Sequence, residues 1–291
     1  MVASHDLGTL NTALNSSYLD LTVPTDSRPF FFNQLRLFSV PSLWTILQMR
    51  MHGHMEGGVL SGNLMASAVL LMIFCLSVLA VVLTIVLPLK LAARRCPRPL
   101  AVSGSLYFSL IGMGFMLTEI ALIQYFSVYL GHPIYSLGVC LFSLILASGM
   151  GSLASTRLRL DTGRLLVWAA LASAYLVVLV RVLPGVFAAT TNRERTARIA
   201  IALASILPLG FLLGFGFPTG MRLVETVDRK PTPWFWGING ATGVLASALG
   251  VMLSMAFGID VTLLIAAGCY LLLMPVSLSL MRLGRRTVVA A

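Results

Sequence analysis

"LYFSLIGMGFMLTEIALIQYFSVYL", residues 106–130, decides the fold. A helix needs about 20 apolar residues to cross a bilayer. This run is longer than that and carries one charge, Glu119, near its middle. Six further stretches pass the same test, so the expected spans are Leu64–Leu89, Leu106–Leu130, Tyr135–Ala154, Leu165–Leu183, Ile199–Phe217, Trp236–Phe257 and Val261–Met281. The breaks between them, "RRCPRP", "GHP", "RLRLDTGR", "TNRER", "DRKPTP" and "GID", are rich in proline, glycine and charge, which end helices for steric and solvation reasons. The expected fold is an all-α polytopic bundle of about seven spanning helices over residues 61–291, preceded by an extramembrane or interfacial segment, residues 1–60.

Composition agrees with that reading. Apolar residues make up 58% of the chain and charged residues 10%, against about a quarter charged in soluble domains. The net charge of +10 comes from short basic clusters between apolar runs, the pattern that sets membrane topology rather than one that binds nucleic acid. Cys75, Cys96, Cys140 and Cys269 form no CxxC pair, so the thiols read as small apolar residues. The chain opens without a basic stretch and apolar core, so the first span is expected to act as its own targeting signal.

The first sixty residues hold Asp6, Asp20, Asp26 and Glu56, and show no apolar periodicity before "FFNQLRLFSVPSLWTILQMR". That piece suits either a surface-lying amphipathic segment, with Phe30, Phe31, Phe32 and Trp44 at headgroup level, or a linker. Lys and Arg divide unevenly between the two sides. Lys90, Arg94, Arg95, Arg98, Arg157, Arg159, Arg164, Arg222, Arg229, Lys230, Arg282, Arg285 and Arg286 share a side with the C-terminus. Arg28, Arg36, Arg50, Arg181, Arg193, Arg195 and Arg198 lie on the other. The count predicts a cytoplasmic C-terminus and an outside N-terminus, with "TNRERTAR" pulling the other way.

Small residues let helices approach closely where lipid provides no hydrophobic drive. Gly240, Gly243, Ser247 and Gly250 form one stripe, Gly210 and Gly214 a GxxxG pair, and the two faces are expected to pack together. "GFGFPTG" (214–220) reads as the end of the fifth span, although glycine and proline there would also free carbonyls, as in the broken helices of transporters.

Glu119 is the only acid in an apolar run. Charge at mid-bilayer costs about 2.5 kcal/mol or more, so the residue should face the bundle interior or be protonated. Spacing by seven places it on one face with Gly112 and Ser105, a packing face whose candidate polar partners are Asn239 and Trp236. The group suits a proton or cation site, or a structural hydrogen bond. Gln124 points away from it. His132, in the turn "LGHPIY", suits a helix cap. Met49, Met51, His52, His54 and Met55 have copper-compatible donors but match no metal-motif spacing. No phosphate loop, GxSxG or HExxH occurs. No cofactor, metal or catalysis by this chain alone is expected.

Five stretches together carry a resemblance: "PTDSRPFFFN" (24–33), "GFMLTEIALIQYFSVYLGHPIYSL" (114–137), "GMGSLAS" (149–155), "GFGFPTGMRL" (214–223) and "PWFWGINGATGVLAS" (233–247). Over residues 20–280 the chain resembles the C-terminal membrane module of bacterial spermidine-synthase-like multi-pass membrane proteins. In that family an aminopropyltransferase-like domain lies between membrane segments, and a stretch like "TDSRPFFF" links it to the following helices. This chain departs in two ways: Ser27 stands where the linker usually has a second acid, and the synthase-like domain is lacking. No catalytic residue of the family maps onto it. The resemblance implies a noncatalytic module in the bacterial inner membrane, with a separate soluble synthase-like protein or a homo-oligomer as possible assembly. A cation or polyamine transporter using Glu119 and a membrane-bound aminopropyltransferase component are the alternatives. A domain using a cytosolic cofactor would sit inside, where the charge count does not place this N-terminus.

Overall fold

The structure, a computed structural model, describes residues 25–30, 59–88, 97–157 and 161–290. Helix α1 spans Val59–Val81 and continues through a π-helical turn, Val82–Val86. The remaining helices are α2 (Arg98–Leu130), α3 (Pro133–Ser155), α4 (Thr162–Thr190), α5 (Arg195–Gly214), α6 (Gly216–Glu225), α7 (Thr232–Phe257) and α8 (Ile259–Ala290). Seven spans are long and apolar enough to cross a membrane, with α5 and α6 forming one of them. The chain is an all-α, multi-pass membrane bundle. No strand occurs among the described residues.

Each helix is longer than its apolar run. The extra turns carry Arg98, Thr162 and Arg195, groups that can meet headgroups and water while the backbone stays helical. Local signals fix the ends. Gly131 takes φ +74°, the left-handed conformation that closes α2 without a side-chain clash. His132 then caps α3, its Nδ1 accepting the Ile134 N–H at 3.3 Å, and Pro133 occupies the first turn, where a missing N–H costs nothing.

Arginines close two helix ends from neighbouring helices. Arg198 donates to the Tyr129 carbonyl at the end of α2, at 2.9 Å. Arg222 donates to the Ser155 carbonyl, the last residue of α3, at 2.7 Å. A cation suits the negative end of a helix dipole.

Helix α2 runs through the centre, against α3, α7 and α8. The outer helices follow one another as α3, α5, α4, α8 and α7, so that α3 and α7 are the two ends of an open ring. Helix α1 rests on α7, and none of its apolar stretch is buried. Cys140 and Cys269 are buried, as expected for small apolar groups, whereas Cys75 is exposed on α1. Cys96 lies outside the described residues.

Two expectations are corrected. The Gly210 and Gly214 pair does not face α7. It packs on α3: a Cβ at Gly210 would stand 2.9 Å from that of Ala147, and one at Gly214 would collide with the Ser148 carbonyl. Gly151 answers from α3, against the Phe211 carbonyl. A small-residue stripe marks a close approach but does not encode which helix comes close. The second correction concerns "GFGFPTG", which does not end the span. Phe215 keeps helical backbone angles and α6 carries on to Glu225.

Candidate functional site

The break between α5 and α6, ten residues before the end of the span, leaves carbonyls that aromatic donors reach. Trp168 Nε1 on α4 donates to the Leu212 carbonyl at 2.7 Å, and Tyr107 on α2 donates to the Gly216 carbonyl at 3.0 Å. Irregular backbone at membrane depth is tolerated when protein groups satisfy it. Gly216 and Gly220 give these rings room: a Cβ at Gly220 would strike Tyr107. Further up, Tyr175 donates to the Ser205 carbonyl, one turn before Pro208, at 3.1 Å.

Beside this break the open ring leaves a groove of about 640 Å³ between α3 and α7. Helix α2 forms its floor with Ile111, Gly112, Phe115 and Met116. Small residues thin the walls: Ser148, Gly149 and Ser152 on α3, and Gly240, Gly243 and Ser247 on α7. Gly149, Gly240 and Val244 are exposed, so the groove opens sideways. A volume of this order accommodates a small molecule or several inserted side chains.

Gly112 lies against Asn239 and Thr242, Gly243 against Met116, and Gly250 against Leu117 and Ile120. Helices α2 and α7 therefore run parallel, and the register places Glu119 level with Ser247. Glu119 continues the stripe Gly112, Phe115, Met116 by one turn, at the end of the groove. It is partly exposed and within electrostatic reach of Cys140 on α3. No hydrogen bond or ion pair reaches it from the described residues, where the one salt bridge is Arg229–Glu225.

Glu119 and Asn239 are not brought together. Asn239 sits two turns below, about 10 Å along the axis, with its Oδ1 buried and without a hydrogen bond. Trp236 is 61% exposed and meets Phe217 edge-on. Gln124 keeps a buried Oε1 that no described residue hydrogen-bonds.

The end of the bundle that carries His132 holds a second cluster. Thr25–Arg28 forms a tight turn docked on the α7–α8 junction. The Ser27 carbonyl accepts the Ile259 N–H at 2.9 Å, and Arg28 donates to the Phe257 carbonyl at 3.0 Å. Gly258 has φ +99°, and a Cβ there would press on Arg28 Cγ and the Ser27 carbonyl, both at 3.2 Å. Below it Tyr125 donates to Asp260 in the first turn of α8. Tyr129 stacks on Phe187 and bonds Thr190 at 2.7 Å. The segment that the sequence singles out as a linker is thus part of the bundle's end.

No group of three or more metal-ligating side chains occurs among the described residues. The Met49–Gly58 cluster and the aromatics Phe31, Phe32 and Trp44 lie outside them. Comparison with protein families, curated proteins and solved structures gives no match.

Proposed function

We propose that the chain is a noncatalytic membrane module of the bacterial plasma membrane that holds a separate soluble, synthase-like protein at one end of its bundle. The observation that supports this is the docking of Thr25–Arg28 on the α7–α8 junction. In the resembling family the corresponding stretch joins the soluble domain to the helices. Here it is fixed by one main-chain hydrogen bond and one from the Arg28 side chain, which a free tether would not need. With seven spans and the cytoplasmic C-terminus that the charge count predicts, that end faces the extracytoplasmic side, so the protein held there is synthase-like in fold and not a user of a cytosolic cofactor.

The tagged chain, purified from its native membrane and analysed by mass spectrometry, should carry a soluble protein of synthase-like fold in near-equal amount. Arg28→Ala should lose that protein while the bundle remains folded. Purification without such a protein, or with one indifferent to Arg28→Ala, contradicts the proposal.

A second reading, transport of small cations or polyamines, draws on Glu119 lacking a partner beside the groove. It requires uptake of a labelled diamine into reconstituted vesicles, abolished by Glu119→Gln. Equal uptake by both proteins rejects it.

A further inference from the structure

Glu119 is not the only charge inside a span that no described residue pairs with. The sequence places Arg181 with the charges of the outer rim, but α4 runs on to Thr190, nine residues further. Arg181 is exposed on the outward face of α4, and no hydrogen bond or ion pair reaches it from the described residues. Its own helix surrounds it with exposed apolar positions, Val177, Val178 and Val182.

The two charges share a depth. Tyr129 of α2 and Thr190 of α4 are hydrogen-bonded at 2.7 Å, which ties the two helices level at that end. Glu119 lies ten residues before Tyr129, about 15 Å down the axis, and Arg181 nine before Thr190, about 14 Å. Lower down, Ile111 of α2 and Trp168 of α4 both stand beside Gly216, so the level holds to within about a turn.

They are also on different sides. Glu119 stands one turn beyond Phe115 and Met116 of the groove between α3 and α7, while α4 stands between α5 and α8 on the far part of the ring. They cannot meet within one copy. Rotation about the membrane normal moves a copy sideways without changing its depth, so the Arg181 of one copy comes level with the Glu119 of another.

We propose that copies of this chain associate side by side in the bilayer, with Arg181 of one copy forming an ion pair with Glu119 at the groove of the next. The surfaces agree below the charges. The groove lies one to two turns beneath Glu119, and Ala174, Val177 and Val178 lie one to two turns beneath Arg181. Apolar side chains of the neighbour's α4 fill the apolar groove while the charges neutralise each other in a medium that penalises either alone. Gly185, with open space where a Cβ would be, lets the helices approach above the pair. Because the two patches differ, the contact is head-to-tail and builds a ring or a row rather than a two-fold dimer. This assembly does not depend on the soluble partner proposed above.

Charge reversal tests it, read as energy transfer between donor- and acceptor-labelled copies in lipid vesicles. Wild-type copies should associate. Glu119→Arg alone and Arg181→Glu alone should each lose association at least tenfold, since each brings like charges together. Mixing the two variants should restore it, since each then offers the other an opposite charge. Glu119→Gln and Arg181→Gln, which introduce no new charge at mid-bilayer, should each weaken association with helix content unchanged. Wild-type copies that stay single at every protein-to-lipid ratio overturn the proposal. So do neutral variants that associate as wild type, or a mixture of folded reversed variants that does not recover.

Discussion

The α3–α5 seam and the α3–α7 groove are lined by the same kinds of residue and end in opposite states. In the seam, Gly151 and Gly214 let two backbones close until a single added Cβ would strike a main-chain atom, and one at Gly210 would strike the Ala147 side chain. In the groove, Gly149 and Gly240 have nothing within 4 Å of where a Cβ would be. A small residue on a spanning helix therefore permits a close approach but does not supply one. In the seam the partner is another helix of the same chain. In the groove none of the described residues provides one.

The largest effect should come from forcing the seam open. Gly151→Val or Gly214→Val has to push apart two main chains, and overpacking of this kind costs about 3 kcal/mol. Thermal unfolding in detergent should show the midpoint falling sharply for both. An unchanged midpoint would mean that the seam is looser than described.

Next comes the broken span beside both regions. Trp168→Phe removes one of two donors to the Leu212 carbonyl, which also accepts the Phe215 N–H, and should cost about 0.5–1.5 kcal/mol, the net worth of one hydrogen bond. Tyr107→Phe, which strips the donor from the Gly216 carbonyl, should cost a similar amount in the same melt. If neither variant shifts the melt, the break does not rely on these rings.

The groove should be the tolerant member of the comparison. Gly240→Ala adds a methyl group into open space at an exposed helix position, where alanine is favoured over glycine by about 0.5–1 kcal/mol. Its melt should match or slightly exceed wild type. A loss as large as that of Gly151→Val would erase the distinction between the two regions.

The sequence and the structure agree where the physics is one-dimensional. Length and hydropathy locate seven spans because crossing the bilayer is a property of one helix at a time. Helix ends run past the apolar runs because Arg98 and Arg195 can stay helical at the interface, which hydropathy alone does not register. His132 was legible as a cap from "GHP", since glycine, a capping side chain and proline in order make a helix junction.

What the sequence hides is relative placement. Periodicity puts Glu119 and Gly112 on one face but does not say that Asn239 stands beside Gly112, two turns from the acid. Nor does it tell that Gly210 and Gly214 meet α3. Arg181 reads as a rim charge when its span is ended at Leu183. The apolar "VLPGVFAAT" that follows is the signal that its helix continues.

In the side-by-side assembly, the groove left open by one copy is closed by the α4 of another. Cysteine cross-linking in native membranes tests it most directly, in a background with Cys75, Cys96, Cys140 and Cys269 replaced. Copies carrying Val244→Cys in the groove should not cross-link to themselves through a short bis-maleimide, nor should copies carrying Val178→Cys on α4, and both variants keep the Glu119 and Arg181 charges. A mixture of the two should give a band of two chains, and the double variant a ladder of many, because each copy then offers both ends of a head-to-tail contact. No cross-link between positions 244 and 178 in the mixture, or a strong one between two copies of position 244, would contradict head-to-tail association.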